Sequence, residues 1–558
     1  MDEWWRRAVV YQVYPRSFAD ATGDGIGDLA GLRARLGYLR ELGVDAVWLS
    51  PWYVSPFADG GYDVADYRDI DPRVGTLAEA EEFFAEAHAL GIRVLLDIVP
   101  NHCSEQHPWF QAALRAGPGA PERAHFHFRP GRGEHGELPP NDWRSHFGGP
   151  AWTRVVEPDG CPGEWYLHLF APEQPDWNWA HEAVRAEFDS ILRFWFDRGV
   201  DGFRVDVADS LDKPAALPDQ LGAPLGQEPF RDNEGNHDIY RRWRRIADSY
   251  PDPRVFVGEL WLTGVPERLA RYLRPDELHT AFDFDLLAAA WDAAEFRTVI
   301  DRSLRAHAAV GAPPTWVLSN HDVHRPVTRY GRADTRFDRM LLGTPTDLAL
   351  GTARARAALL VTAFLPGVLY LYQGEELGLP EVEDIPDELV EDPMFHRTGG
   401  VNRGRDGCRV PLPWSGDEPP FGFSPPDAHA SPWLPQPAAW KALTVRVQSA
   451  DADSPLSLYR RALRLRRDLL VAAGPELEWL PAPPGVLAAR RSRPGPPGPS
   501  ATTGVAGSAG AAGLEAVVLV VNMSARPVPM PDGRVLLASA GFPVAGFLPP
   551  DTAVWLST

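Results

Sequence analysis

The chain has 558 residues, of which 44% are hydrophobic, and its formal net charge at pH 7 is −21. This length predicts two or three domains unless one of them is a large barrel, and the apolar fraction is enough for a large buried core. The excess of acidic residues argues against nucleic acid and acidic membranes as partners, because both bind basic surfaces.

The cysteines and the hydropathy pattern give no sign of export or membrane insertion. Cys103, Cys161 and Cys408 are odd in number and widely spaced, so neither a disulfide framework nor a zinc site is predicted. The first stretch, MDEWWRRAVVYQ, lacks the apolar segment of a signal peptide. No window approaches 18 uninterrupted apolar residues. We therefore predict a cytoplasmic protein, monomeric or homodimeric, with no nucleic-acid or membrane partner.

Short apolar runs alternate with helical patterns along most of the chain. The runs that we interpret as buried strands are VVYQVYP (9–15), VDAVWLS (44–50), IRVLLDIV (92–99), GFRVDV (202–207), RVFVGEL (254–260), HTAFDFDL (279–286), TWVLSNHD (315–322) and VLYLYQG (368–374). The run at 279–286 carries the weakest strand pattern. Eight strands, each followed by a helix, predict an α/β fold of the (β/α)8 TIM-barrel type.

Two departures from this alternation predict additions to the barrel. The segment after the third strand is unusually long and rich in Pro, Gly, His and aromatic residues, so we predict an inserted lid subdomain at 104–175. The barrel domain would then comprise 1–103 and 176–470. Short β-like runs beyond it predict a C-terminal antiparallel β-sandwich domain at 471–558. A low-complexity loop at 494–513 interrupts this domain, and we expect it to be disordered.

Polar and charged residues cluster at the C-terminal ends of four predicted strands. An enzyme with this barrel carries its active site at that end. Four strands together predict a catalytic site, against the alternative of ion pairs that only stabilise the barrel mouth. The residues are Asp97, Asn101 and His102 after strand 3, Arg204 and Asp206 in strand 4, Glu259 in strand 5, and Asn320, His321 and Asp322 in strand 7.

The types and spacing of these residues favour glycoside hydrolysis. Arg204 and Asp206 are two residues apart, so both side chains point to the same face of a strand, and the arginine favours the ionised carboxylate that a nucleophile needs. Glu259 lies in the apolar sequence VFVGELWL, where a carboxyl can retain a proton and act as an acid. Such a pair is typical of a retaining glycosidase, with the carboxyls roughly 5–5.5 Å apart.

Six motifs carry a resemblance to a known family. GIGDLAGL, DIVPNH, GFRVDV, VGELW, SNHD and QPDWNW make the sequence resemble the α-amylase superfamily of glycoside hydrolases, in its α-glucosidase/oligo-1,6-glucosidase branch. QPDWNW resembles the QPDLNW of this branch, with Trp177 in place of leucine. The resemblance covers nearly the whole chain and implies that Asp206 is the nucleophile, Glu259 the general acid/base and Asp322 the stabiliser of the transition state.

The resemblance also implies a set of substrate-binding residues. For the two phenylalanines, ordinary packing is an equally good interpretation. The motif GCRVPLPW departs from the usual ARTPMQW, so Arg409 is an alternative to Arg405. The sugar-binding residues would be Asp63, His102, Arg204, His321 and Arg405, with aromatic walls from Tyr62, Phe147 and Phe170.

The implied activity is that of an exo-acting retaining α-glucosidase on short substrates such as maltose or isomaltose. Valine after the nucleophile, here Val207, accompanies α-1,6 activity in this family, although a β-branched residue is also favoured in any strand. A transglucosidase or a trehalose-synthase-like isomerase is an alternative, since it uses the same intermediate. A non-catalytic homologue, like the transporter heavy chains with this barrel, would lose the catalytic carboxylates that this chain retains.

The sequence DATGDGIGD, from Asp20 to Asp28, looks like a calcium loop. Its spacing matches the first nine EF-hand positions, but Gly31 stands where the bidentate glutamate belongs and no helix pattern precedes it. A metal-free turn of Asp and Gly is the plain alternative. The resemblance implies a structural Ca²⁺, or Mg²⁺, and no organic cofactor. The ligands would be Asp20, Thr22, Asp24, Asp28 and the carbonyl of Ile26.

Overall fold

The computed structural model describes residues 3–221, 227–337, 343–492, 516–541 and 546–557. Eight parallel strands form its central sheet. They are β1 Val9–Val13, β2 Ala46–Leu49, β3 Arg93–Ile98, β4 Gly202–Val205, β5 Val255–Gly258, β6 Thr280–Ala281, β7 Thr315–Val317 and β8 Val368–Tyr372. All eight predicted strands are confirmed, and the weakest of them contributes only the two residues of β6.

The strand order closes this sheet into a barrel. Neighbouring strands follow the order β6-β5-β4-β3-β2-β1-β8-β7. A parallel bridge between Asp283, just after β6, and Trp316, in β7, joins the two edges. The predicted (β/α)8 barrel is therefore confirmed, and the C-terminal ends of all its strands lie at one end.

Helices cover the barrel and extend its loops. Their bounds are Leu29–Ala34, Leu36–Leu42, Leu77–Ala89, Pro108–Ala116, Glu182–Phe196, Glu234–Ala247, Pro266–Arg271, Phe284–Ala288, Ala293–Val310, Pro326–Tyr330, Leu348–Phe364, Pro393–Arg397, Asp406–Arg409, Val445–Ser449 and Pro455–Leu465. The third of them illustrates their local cause. Thr76 and Glu79 form a capping box at its start, and the positions i, i+3, i+4 and i+7 from Ala80 are buried against the sheet.

The long connection after β3 forms a small subdomain over the barrel mouth. It contains the helix Pro108–Ala116 and an antiparallel sheet of Phe128–Arg129, Pro162–Leu167 and Trp152–Val156. Trp143 in its core packs against Phe230, from the loop after β4, with ring centroids 5.1 Å apart. The lid predicted after strand 3 is thus confirmed, while the predicted domain bounds stay predictions.

The C-terminal part of the chain is antiparallel, as predicted. Its five-stranded sheet contains Glu478–Trp479, Val486–Ser492, Ala516–Asn522, Thr552–Ser557 and Arg534–Ala538, and Val528–Pro529 pairs with Phe547–Leu548. Trp555 anchors it to the barrel, because its Nε1 donates to the carbonyl of Leu360 at 3.0 Å. The predicted disordered loop at 494–513 lies outside the described residues. In the described ranges no helix is long and apolar enough to span a bilayer.

Candidate active site

A cavity of about 640 Å³ opens at the C-terminal end of the barrel. This volume is within the range of small-molecule sites. Its walls come from the loops after β2, β3, β4, β5 and β7, from the lid and from the segment after β8. Ten residues predicted from the sequence line it, namely Tyr62, His102, Phe147, Phe170, Asp206, Val207, Glu259, His321, Asp322 and Arg405.

Arg204, in β4, lies beneath the cavity and binds three carboxyl groups. Its Nη1 donates to Asp206 Oδ1 at 2.6 Å and to Asp97 Oδ1 at 2.9 Å. Its Nη2 lies 2.6 Å from Glu259 Oε2. The predicted pairing with Asp206 is confirmed, and the contact with Glu259 is new. A single buried guanidinium therefore joins the two carboxyls expected to carry the reaction.

Burial dominates the protonation of this cluster. It raises the pKa of Asp97 to about 7 and the pKa of Asp206 well above its usual range, although Arg204 opposes both shifts. Burial also disfavours the charge of Arg204, but the carboxylates raise the pKa of that guanidinium. Arg204 favours the ionised form of Asp206, as expected, but burial and the neighbouring carboxyls outweigh its effect on the pKa. Three carboxyls share one guanidinium, so the cluster retains a proton near neutral pH.

Two arginines hold Asp322 at the opposite wall. Arg405 Nη1 lies 3.2 Å and Arg409 Nη2 3.0 Å from Asp322 Oδ1. Arg405 also binds Asp59 and Asp392, each at 2.6 Å. The sequence offered Arg405 and Arg409 as alternatives, whereas the structure brings both to the same carboxylate.

The structure does not place Asp63 at the cavity. Its side chain is fully buried, and its two oxygens accept the amide hydrogens of Ala58 and Asp59 at 2.8 and 3.0 Å. Burial raises the pKa of Asp63 to about 6. The cavity carboxylate of this loop is Asp59 instead. Asp63 shapes the loop that presents Asp59. The sugar-binding role predicted for Asp63 therefore fits Asp59, four residues earlier in ADGGYD.

Neutral imidazoles and stacked rings form another part of the wall. The Tyr62 ring stacks on His321 with centroids 5.2 Å apart and planes 4° from parallel. Burial lowers the pKa of His321 well below its ordinary value and that of His102 to about 3. Both histidines therefore act as hydrogen-bonding groups and not as cations.

The two predicted phenylalanines serve both of the roles considered for them. Phe147 and Phe170 line the cavity and also pack edge to face, with centroids 5.3 Å apart. The guanidinium carbon of Arg405 lies 4.9 Å from the Phe147 ring centroid. Lining and packing are thus not exclusive here.

Val207 departs from the strand interpretation. Strand β4 ends at Val205, and Val207 has a φ of +48°. A β-branched residue is rare in this left-handed region, so a general strand preference does not explain valine here. The conformation directs its amide hydrogen to Glu259 Oε2, at an N···O distance of 3.2 Å.

Three further residues complete the site, and none of them was assigned a role from the sequence. Asp59 and Trp261 line the cavity. Gln174, the first residue of QPDWNW, places its Nε2 3.0 Å from both Asp59 Oδ2 and His102 Nε2. Only the folded loops bring these groups to the predicted residues, although Gln174 belongs to a motif that carries the family resemblance.

A buried lysine ties the lid to the loop after β4. Lys213 Nζ lies 2.9 Å from Asp176 Oδ2 and donates to Asn101 Oδ1 at 2.6 Å. Burial lowers the pKa of Lys213, against the effect of Asp176. The pair stabilises the junction beside His102, where lid and barrel meet.

The Asp20–Asp28 loop is closed by its own hydrogen bonds. Asp20 accepts the amides of Gly23 at 2.6 Å and Gly25 at 3.0 Å. Asp28 accepts the amides of Ala21, Thr22 and Gly31, the last as N-cap of the helix that follows. Carboxylate, hydroxyl and carbonyl oxygens suit Ca²⁺. Across the described ranges no three His, Cys, Asp or Glu side chains are grouped to hold a metal, and the calcium site, with its hydroxyl and carbonyl ligands, stays a prediction.

Comparison with known proteins gives consistent matches over most of the chain. The family model of the α-amylase catalytic domain matches residues 12–473. An oligo-1,6-glucosidase from Parageobacillus thermoglucosidasius is 36% identical over 509 residues, which cover 84% of this chain and 84% of that protein. A probable α-glucosidase from Rhizobium meliloti is 36% identical, with 88% and 87% covered.

One solved structure with a similar fold is named as a transferase and not as a hydrolase. The crystal structure of an α-glucosyl transfer enzyme has a TM-score of 0.83 to this chain and is 34% identical, with 100% of both chains covered. Hydrolases and a transferase are therefore both among the proteins to which this chain is similar.

Proposed function

Because the chain belongs to the α-amylase family of glycoside hydrolases, we propose that it is an exo-acting, retaining α-glucosidase of short oligosaccharides. The observation that carries this proposal is the guanidinium of Arg204, 2.6 Å from both Asp206 Oδ1 and Glu259 Oε2. This positively charged group lies beneath two carboxyls that line one sugar-sized cavity. The relatives named as glucosidases support the substrate class.

In the first step Asp206 attacks the anomeric carbon of the terminal glucose. Oδ1 is engaged with Arg204, so Oδ2 is the attacking atom. A bond forms between this oxygen and the anomeric carbon, and the bond from that carbon to the leaving group breaks. Glu259 gives its proton to the departing oxygen. Asp322, held by two arginines, is positioned to stabilise the oxocarbenium-like transition state.

In the second step the same residues work in reverse. Glu259, now ionised, removes a proton from water, and the water oxygen bonds to the anomeric carbon. The ester to Asp206 breaks and its carboxylate is restored. Two displacements at one carbon return glucose in its original α configuration.

The wall residues support short, neutral substrates. The lid rings Phe147 and Phe170 close one side of the cavity, and Arg405, with Asp59 and Asp322 as partners, is available as a fixed hydrogen-bonding wall. Val207, directly after Asp206, supports a preference for α-1,6 over α-1,4 linkages, with both accepted. Maltose and isomaltose are accordingly the first substrates to test.

A transglucosidase is the second candidate, favoured by the similarity to the α-glucosyl transfer enzyme over the whole chain. It differs only in the second step, where a sugar or alcohol hydroxyl replaces water. The protein would be incubated separately with maltose, isomaltose, sucrose and trehalose, and the products identified by chromatography and by NMR of the first anomer released. Glucose released from the non-reducing end as the α anomer supports the hydrolase, new disaccharides support the transferase, and the β anomer from that end or no reaction would contradict both.

A further inference from the structure

Trp261 lies on the same side of its segment as Glu259. The two residues are separated by Leu260, and both line the cavity. Leu260, between them, does not line the cavity and is buried in the core. This alternation is that of an extended chain, so the fold presents the indole and the carboxyl to the cavity side by side.

The two oxygens of Glu259 have different surroundings. Oε2 lies 2.6 Å from Arg204 Nη2 and accepts the amide of Val207 at 3.2 Å. Oε1 accepts the indole Nε1–H of Trp261 at 3.0 Å. A cation and a backbone amide thus hold Oε2 from behind, and a neutral side-chain donor holds Oε1. A proton is disfavoured on the oxygen that binds a guanidinium, so it belongs on Oε1.

The Trp261 ring is itself held in place. It stacks on Phe284, with centroids 4.1 Å apart and planes 22° from parallel, and Phe284 stacks on Phe282 at 5.6 Å. On another side the Phe337 ring lies 5.9 Å away. Stacked rings of this kind restrict rotation of the indole. The direction of the Nε1–H bond is therefore set by the aromatic column and not by Glu259.

We propose that Trp261 is a positioning residue for the acid/base: its Nε1–H fixes the rotation of the Glu259 carboxyl so that Oε1 presents the transferred proton. This rests on the proposed retaining mechanism. The proton leaves Oε1 for the glycosidic oxygen, the indole then donates to the charged oxygen, and Oε1 recovers a proton from water in the second step. Without the indole donor the carboxyl is held only through Oε2, so the direction of Oε1 is less sharply fixed and proton delivery is slowed.

The test compares substrates that need the proton with one that does not. Trp261→Phe retains a ring on Phe284 and removes only the donor. We expect kcat/KM for isomaltose and maltose to fall about tenfold or more, because general acid catalysis contributes roughly 10²–10⁴-fold. For 4-nitrophenyl α-glucoside, whose leaving group departs without protonation, we expect a fall of less than about threefold. The retained aryl-glucosidase activity also shows that the variant is folded.

Phe147→Leu is the matched control. It alters the wall against the glucose that both substrates share, so it should lower kcat/KM for both by the same factor. An equal fall on both substrates in Trp261→Phe, or no fall on either, would overturn the positioning role. Failure of the proposed function is distinguishable, since the unaltered protein would then release no glucose from either substrate.

Discussion

Two aspartate-rich regions of this chain look equally functional in the sequence and differ in kind in the structure. In the Asp20–Asp28 loop, the carboxylates of Asp20 and Asp28 accept amide hydrogens from residues at most seven positions away. At the barrel mouth, Asp206 and Asp97 share Arg204, and Asp59 pairs with Arg405 across 346 positions. The acids of the loop stabilise the loop itself, whereas the acids at the barrel mouth come from distant parts of the sequence.

The acids of the two regions therefore differ in the kind of partner that they bind: backbone amides of the same loop in one region, and buried arginine side chains in the other. A carboxylate that accepts nearby amides is a cap, and its loss costs local stability. Carboxyls buried around the shared guanidinium of Arg204 carry raised pKa values and are costly to keep together. Such an arrangement is more readily explained by chemistry than by folding.

The strongest test of the comparison is Asp206→Asn. Removing the proposed nucleophile should lower kcat/KM for 4-nitrophenyl α-glucoside at least about 10³-fold. Because the change also removes a buried acid with a raised pKa, the melting temperature should not fall. The measurements are steady-state kinetics and thermal unfolding. Retained hydrolysis, or a clear loss of stability with retained activity, would place Asp206 with the structural acids.

The pH profile is expected to show the next largest effect. At low pH Asp206 becomes protonated and cannot attack, and at high pH the mouth cluster loses the proton that the acid delivers. Burial raises the pKa of Asp206 and brings that of Asp97 to about 7, so the acidic limb should begin above the ordinary carboxyl range of about 4. Below it kcat/KM should fall about tenfold per pH unit. A profile flat down to that ordinary range would contradict the coupled cluster.

Asp28→Ala should act on stability and not on catalysis. It removes the acceptor of three amides, one of them the N-cap bond to Gly31, for an expected loss of about 2 kcal/mol in the free energy of unfolding. Asp24→Ala is the matched control, because its carboxylate accepts only the amide of Ile26 and should cost less. Denaturant unfolding and kcat/KM would be measured for both variants, and a selective loss of kcat/KM would refute the division.

Chelation should have the smallest effect. The loop is already closed by hydrogen bonds, so a Ca²⁺ ion would add about 1 kcal/mol or less at modest saturation. We expect EDTA to lower the melting temperature slightly and Ca²⁺ to restore it, and Asp28→Ala to abolish this response. An unchanged melting curve, together with no metal in the purified protein, would remove the calcium prediction.

The sequence predicted the structure correctly wherever a local pattern of residue types corresponds to a single structural feature. Apolar runs marked all eight strands, and polar residues at strand ends marked Asp206, Glu259 and Asp322 at the cavity. Local patterns could not tell Asp63 from Asp59, because both follow the short strand Tyr53–Val54 and only the closed loop decides which carboxyl lines the cavity.

The same limit applies to backbone conformation and to stacking. The sequence pattern predicts a strand conformation for Val207, after Asp206. Its φ of +48° depends on the path of the loop after β4. The chain has 20 tryptophans, and nothing in the local sequence distinguishes Trp261 from the others as a partner of Glu259. Its contact with Glu259 depends on Phe284, the first residue of the helix after β6.

The buried lysine has a practical consequence. The chain has only two lysines, and Lys213 is enclosed with Asp176, whereas the side chain of Lys441 is 59% exposed. Amine-reactive reagents should therefore attach to a single side chain. A dye or a solid support coupled through Lys441 would modify no side chain that lines the cavity.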